Sequence, residues 1–240
     1  MATAPVSQTK LSERTGQQDR VFFSGIALLV LIAVSVGFAR TYFLAGVFWA
    51  KLPSVMVHLH GALFTLWIAL LVGQVALVAS GRTRWHMRLG IAGVFLAPLM
   101  VITGFATLIA AIKRRFVPPP VLQDIASVDT LLLSLFAFLI SWAFLARRDP
   151  ATHKRLILFA TFLIIGPAIA RWPISDNPVI FHIFLNSLPA LLVVYDLWTR
   201  RSLHRATMCG VVLMIALQLV VPVVAQSALI GNAVAWLQRT

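Results

Sequence analysis

The chain has 240 residues, 60% of them hydrophobic and 11% charged, with a net charge of +13 and a mean hydropathy of +0.93. A soluble domain carries about 25% charged residues, so this composition excludes a water-solvated surface and points to lipid as the solvent. The basic excess does not indicate a nucleic-acid partner, because Lys and Arg collect at alternate ends of apolar stretches, as the positive-inside bias requires.

A crossing helix needs about 20 mostly apolar residues to span a hydrocarbon core of about 30 Å. Seven stretches meet that length: 21–39, 54–79, 89–112, 126–146, 152–171, 178–198 and 206–229. Barrel strands alternate and would not leave apolar runs this long. The expectation is an all-α polytopic membrane protein, with a polar cytoplasmic tail over 1–20 and one seven-helix domain over 21–240. The tail carries Pro5, Lys10, Arg14 and Arg20, and no small-residue cleavage site of the A-x-A kind follows, so the first helix is read as uncleaved. An inside N-terminus puts thirteen of the 20 Lys and Arg residues on the cytoplasmic side and the C-terminus outside; Lys113, Arg114 and Arg115 run against the rule. Cys209 is alone, which leaves neither a disulfide framework nor a cysteine metal cage.

Three inner turns share one pattern of arginines, a histidine and further basic residues: Arg82 to Arg88 around His86, Arg147 to Arg155 around His153, and Arg200 to Arg205 around His204. They divide the later spans into three degenerate helical hairpins, 2/3, 4/5 and 6/7, with the first helix added. Positive neighbours oppose cation binding, so these three histidines read as headgroup-facing residues. In the third span Gly90, Gly93, Ala97 and Gly104 recur at near-helical spacing and allow close helix packing. Pro98, Pro167, Pro189 and Pro222 each interrupt the hydrogen-bond ladder of a different span. Tyr42, Phe43, Trp49 and Trp172 form an outer aromatic belt, and Pro118, Pro119 and Pro120 stiffen a long outer loop.

Polar groups also gather below the outer surface. His58 and His60 lie about one turn inside the second span, and His182 sits at similar depth in the sixth. A polar side chain there is costly in lipid and should face the bundle. Residues two apart on a helix point nearly opposite ways, so only one of His58 and His60 serves a given site. His60 shares a stripe with Trp67 and Gln74, whereas His58 shares a face with Ala62 and Thr65; an extended backbone from Pro53 to His58 would reopen the choice. His182 and Asn186 stack four apart, Gln218, Pro222 and Gln226 repeat every fourth residue in the last span, and Asp129 opens the fourth span where it could orient an imidazole.

Imidazole ligates zinc, copper and haem, so His60 and His182, with His58, are the candidate ligands for haem b or a transition metal. Asp129, Asn186, Gln226, Gln74 and Trp67 line the expected pocket, and Met56 adds a soft donor for copper. A haem or metal bound under the outer face would serve a redox or assembly role. One competing expectation is a non-catalytic module that packs against lipid, a membrane protein partner or a second copy, its histidines purely structural. Another is passive transport of a small neutral solute.

Several activities are excluded on chemistry. The four lysines, Lys10, Lys51, Lys113 and Lys154, all lie at span ends or in loops, so no retinal-type Schiff base forms inside a helix. Asp129 and Asp196 sit at opposite ends and cannot pair for proteolysis. No H-E-x-x-H, G-x-S-x-G or phosphate-cradling glycine loop is present, and the sole glutamate, Glu13, is in the tail. No Asp, Glu, Lys, Arg or His lies mid-span as a proton stepping stone, which disfavours coupled pumping.

Phe38 to Tyr42, His58-Leu-His60-Gly61 with Trp67, Gly81-Arg82 leading to His86-Met-Arg-Leu-Gly90, and Thr152-His-Lys-Arg-Leu156 resemble segments of a family of bacterial multi-spanning membrane proteins with no settled activity. The resemblance covers about residues 19 to 173. It implies a multi-pass fold in a bacterial inner membrane. A looser similarity to b-type membrane cytochromes rests on histidines at helix ends.

Overall fold

The computed structural model describes residues 6–47, 54–115, 117–173 and 176–239, with side chains described from residue 16. Trp49 of the expected aromatic belt, with Lys51 and Pro53, lies outside the described residues. All regular structure among them is helical: α1 (Val6–Phe38) with a π-helical turn at Ala39–Phe43, α2 (Val55–Ala79), α3 (Thr83–Arg114), α4 (Pro119–Leu145), α5 (Pro150–Ile164), α6 (Gly166–Ile169), α7 (Pro178–Arg200), α8 (Arg205–Ala225) and α9 (Ala228–Leu237). Six segments, Gly16–Phe43, Val55–Ala79, Thr83–Arg114, Pro119–Leu145, Pro178–Arg200 and Arg205–Ala225, are long and apolar enough to cross a membrane. The outward residues are apolar too, Leu28, Phe95, Ile102, Val194 and Leu219 among them. The chain is a helical, multi-pass membrane bundle solvated by lipid rather than water.

Several boundaries differ from the sequence expectation, each for a local reason. The polar segment from residue 6 to 20 is the first part of α1. Pro119 and Pro120 do not stiffen a loop but start α4, because a helix's first positions leave N–H groups unpaired and suit proline. Asp129 therefore lies nearly three turns into α4 and does not open it. The expected fifth span is broken: α5 ends at Ile164 and α6 begins at Gly166, since Pro167 has no N–H and its ring clashes with the preceding turn. The expected last span stops at Ala225, and Ser227 restarts the chain as α9 by accepting from the Ile230 N–H at 3.5 Å. Pro98, Pro189 and Pro222 stay inside continuous helices, so Pro167 alone of these four coincides with a break.

Short polar sequences set the entries. Asp149 caps α5 by accepting from the N–H groups of Ala151 (3.1 Å) and Thr152 (3.3 Å), with Pro150 following at the first helical position. Asn177 and Pro178 repeat the device at α7, with bonds of 2.9 and 3.3 Å to Val179 and Ile180.

The packing is centred on α5. It contacts α4, α7 and α8, and Trp67 of α2 reaches it by donating Nε1–H to Thr161 Oγ1 at 3.2 Å. Leu156, Phe159, Ala160, Thr161 and Phe162 have no exposed surface, as expected of a helix enclosed on all sides. Glycines permit the closest approaches. A Cβ on Gly37 of α1 would collide with the Ala168 carbonyl of α6, one on Gly210 of α8 with the Phe159 ring, and one on Gly104 of α3 would sit 2.8 Å from Leu133 of α4.

Candidate functional site

The three basic turns and the early part of α1 lie together at one end of the bundle, since Asp19 meets Lys154 and charge interactions link His86 to His153 and His204 to Asp149. At the opposite end, α7 and α8 build a polar triad. His182 sits one turn into α7 and its Nδ1 is 3.0 Å from Gln218 Oε1 of α8. Asn186 Nδ2 donates to the same oxygen at 3.2 Å and to the His182 carbonyl at 2.8 Å. Gln218 Nε2 returns bonds to Asn186 Oδ1 at 3.0 Å and to the Met214 carbonyl at 3.2 Å. His182 is exposed, and with Pro178, Val179, Ile183 and Asn186 it lines a groove of about 510 Å³, open on one side. The exposed lining of the groove is almost entirely apolar and comes from α7 alone, so it offers contact to an apolar chain along an open face.

His60 is in a different environment. It is half-buried, its ring lies 4.3 Å from that of Phe64, and its Nδ1 is buried without a hydrogen-bond partner. Trp67, on the same stripe, is buried and packs edge-on against Phe136 at 5.5 Å. Gln74 faces α3, where a Cβ on Gly90 would lie 3.4 Å from its Nε2, and its Oε1 is buried and unpartnered. His58 is exposed, with Tyr42 donating its hydroxyl to the His58 carbonyl at 3.1 Å. Tyr42 closes over Gly61, where a Cβ would lie 2.8 Å from the ring. Asp129 has the Arg171 charge as its electrostatic neighbour, not an imidazole. Gln226 is the exposed C-terminal cap of α8.

Among the described residues no hydrogen bond, ion pair or ring contact joins His60 to His182. Nor do three or more His, Cys, Asp or Glu side chains gather there into a group able to hold a metal ion. Gln218 is the residue that organises His182, and its depth as a polar group in an apolar helix is the sequence signal for it.

The basic end carries a network that the sequence reading did not assemble. Arg155 and Asp196 are 2% and 0% exposed; both Arg155 Nε and Nη2 donate to Asp196, with Nε at 3.2 and 3.3 Å from the two carboxylate oxygens. Asp196 also accepts from the Thr207 hydroxyl and, at 3.1 Å, from the His204 N–H. Beside it, Asp19 binds Lys154 Nζ and the Tyr195 hydroxyl, both at 2.6 Å. Phe22 stacks on Tyr195 at 3.8 Å and Lys154 lies over Phe23 at 4.2 Å. The network ties α1, α5, α7 and α8 together, and its groups satisfy one another rather than pointing into a groove. An aspartate in an apolar helix demands a cation at its own depth, and Arg155 was that cation.

The fold and this site define an apolar helical bundle with a polar clasp at one end and an open, imidazole-bearing groove at the other. Comparison with protein-family models, curated proteins and solved structures finds no match to the chain.

Proposed function

We propose that the chain is a seven-crossing protein of a bacterial inner membrane, N-terminus inside, that holds a membrane-soluble amphiphile in the open groove along α7. Counting α5 and α6 as one crossing gives the seventh: Pro150 to Ile169 extends about 30 Å at about 1.5 Å per residue, the thickness of the hydrocarbon core. One observation carries the ligand reading: the exposed His182 and half-buried Asn186 lie beside the apolar Pro178, Val179 and Ile183 along one open groove of α7. Lipid-facing polar groups are costly unless something satisfies them, and an amphiphile supplies both a polar end and a chain.

The test is photolabelling in nanodiscs with a diazirine-bearing long-chain amphiphile, with adducts mapped by mass spectrometry. Saturable adducts on Val179 or Ile183 are expected. Adducts spread evenly over other lipid-facing residues such as Phe95 and Leu219 would refute the site.

A second reading, haem or a transition metal on His60, is favoured by its buried, unpartnered Nδ1. A Soret band or bound metal that is lost in His60→Ala would support it; a colourless, metal-free protein from cofactor-replete cells would oppose it. Passive transport draws no support from a bundle axis filled by Phe159 and Phe162.

A further inference from the structure

We infer that the arginine-rich end of the bundle holds an anionic phospholipid on α3, its phosphate between Arg84 and Arg88 and an acyl chain along the apolar stripe that follows them. The three basic turns gather at that end, and among the described residues its carboxylates are already engaged: Asp19 binds Lys154, Asp196 binds Arg155, and Asp149 caps α5. Arg82, Arg84, Arg148, Arg200, Arg201 and Arg205 are exposed there, and no described carboxylate forms an ion pair with any of them. The opposite end is different. Arg114, Arg115 and Arg171 donate to the carbonyls of Ala110, Gln238 and Pro167 at 3.2, 2.7 and 2.6 Å. Guanidinium groups without a protein partner are therefore concentrated at the end that carries the basic turns.

Helical register places two of these groups over lipid. Arg84, Arg88, Ile91, Phe95 and Ile102 follow one another at i, i+4, i+7, i+11 and i+18, which is one face of α3. Ile91, Phe95 and Ile102 are all strongly exposed, so this face is turned away from the bundle. Side chains of a helix lean toward its N-terminus, which carries the Arg84 and Arg88 heads toward the headgroups while their stems stay on the apolar stripe. Trp85, exposed and with its ring 5.2 Å from the Arg88 guanidinium, marks the same boundary. Two cations four apart on one face repel, and an anion between them turns that repulsion into attraction. The start of α8 repeats the arrangement, with Arg205 at the head of the exposed stripe of Met208, Val212, Ile215 and Leu219.

The chemistry of the pair selects among phosphates. A guanidinium presents its N–H groups as a planar fork that fits a phosphodiester. Two such forks complement a headgroup whose phosphate has no ammonium beside it, whereas a zwitterionic headgroup brings a third cation to the pair. A free phosphate satisfies the arginines but leaves the stripe below them unused, so the apolar contact favours the lipid form. This position on α3 is separate from the α7 groove, and either can be occupied without the other.

The experiment uses the full chain in phosphatidylcholine nanodiscs doped with one of two probes, phosphatidylglycerol or phosphatidylethanolamine, each carrying the same diazirine on its acyl chain. Adducts at Ile91 and Phe95 are mapped by mass spectrometry. At equal mole fraction the phosphatidylglycerol probe is expected to label these residues about tenfold more, the worth of two arginines near an anionic headgroup, and unlabelled phosphatidylglycerol should compete the signal away. Arg84→Gln with Arg88→Gln should bring the two probes to parity with the unfolding midpoint little changed, since both side chains are exposed. Arg84→Lys with Arg88→Lys, which keeps both charges, should preserve a preference. Equal labelling by the two probes in the wild-type protein, or a preference that survives in the glutamine pair, would overturn the site. Displacement of the phosphatidylglycerol probe by millimolar glycerol phosphate would overturn the lipid assignment and leave a site for phosphate alone.

Discussion

The Arg155–Asp196 pair offers the sharpest energetic prediction. Asp196→Ala leaves a guanidinium that is 2% exposed with the Ala151 carbonyl, accepting from Nη1 at 2.9 Å, as its remaining partner. The same change strips the acceptor from the His204 N–H and the Thr207 hydroxyl at the start of α8. Breaking a buried pair by removing one partner costs about 3–5 kcal/mol, chiefly for the stranded charge. Removing both charges with shape-preserving residues, Arg155→Met with Asp196→Leu, eliminates that stranded charge and is expected to recover about 2 kcal/mol or more, so the double-mutant cycle shows a large coupling energy. The assay is equilibrium unfolding in mild detergent, following tryptophan fluorescence. A loss below about 1 kcal/mol for Asp196→Ala, the worth of an exposed pair, would refute the claim that this pair is enclosed and holds α5 to α7.

Other consequences follow from single contacts. Gly210→Ala and Gly37→Ala drive a methyl into Phe159 and the Ala168 carbonyl, and each should lower stability by about 1–3 kcal/mol by the same unfolding assay, whereas Gly25→Ala, which meets nothing, should not. Trp67→Phe loses the bond to Thr161 and leaves space beside Phe136, an expected cost of about 1–2 kcal/mol with little change in groove binding. Partial burial, with the Arg155 and Arg200 charges, holds His204 below the ordinary histidine value of 6.5, outweighing Asp196 and Asp149. The folded protein therefore takes up this proton less readily than the unfolded chain, so the His204 contribution is full above pH 6.5 and is lost as pH falls from there through the lowered folded value. Its Nδ1 accepts from the Ala206 N–H at 3.1 Å, a bond that protonation removes. Unfolding midpoints against pH should show this loss, and His204→Asn, a cap that does not titrate, should remove that share of it.

What the sequence revealed and what it concealed divide along physical lines. Long apolar runs bounded by arginines made the helices readable, because period and length alone specify a helix in lipid. The break after Ile164 was foreshadowed by Gly166-Pro167, but the identity of the central helix was not. The run from Pro150 to Ile164 reads as part of one crossing among seven, and Lys154 and Arg155 give no sign that it lies at the centre, where Asp19 and Asp196 neutralise those charges from α1 and α7. That pairing is long-range, and spacing along the chain does not encode it. At the other end, His182 and Asn186 were legible as one helical face, and Gln218 as a deep polar group. Their meeting depends on how α7 lies on α8, which no local pattern fixes. His60 and His182 share a nominal depth, but depth along a helix does not fix which side chains of two helices meet.

The central claim is that the His182 groove faces lipid. A spin label at Ile183→Cys, in a chain with Cys209→Ser so that the label is unique, would be measured in bilayers for collision with oxygen and with a water-soluble nickel chelate. The account expects strong relaxation by oxygen, weak relaxation by nickel, and a fall in both when a groove ligand is added. Strong relaxation by nickel would place the groove in water, and protection from both agents without ligand would place it against protein; either result contradicts the account.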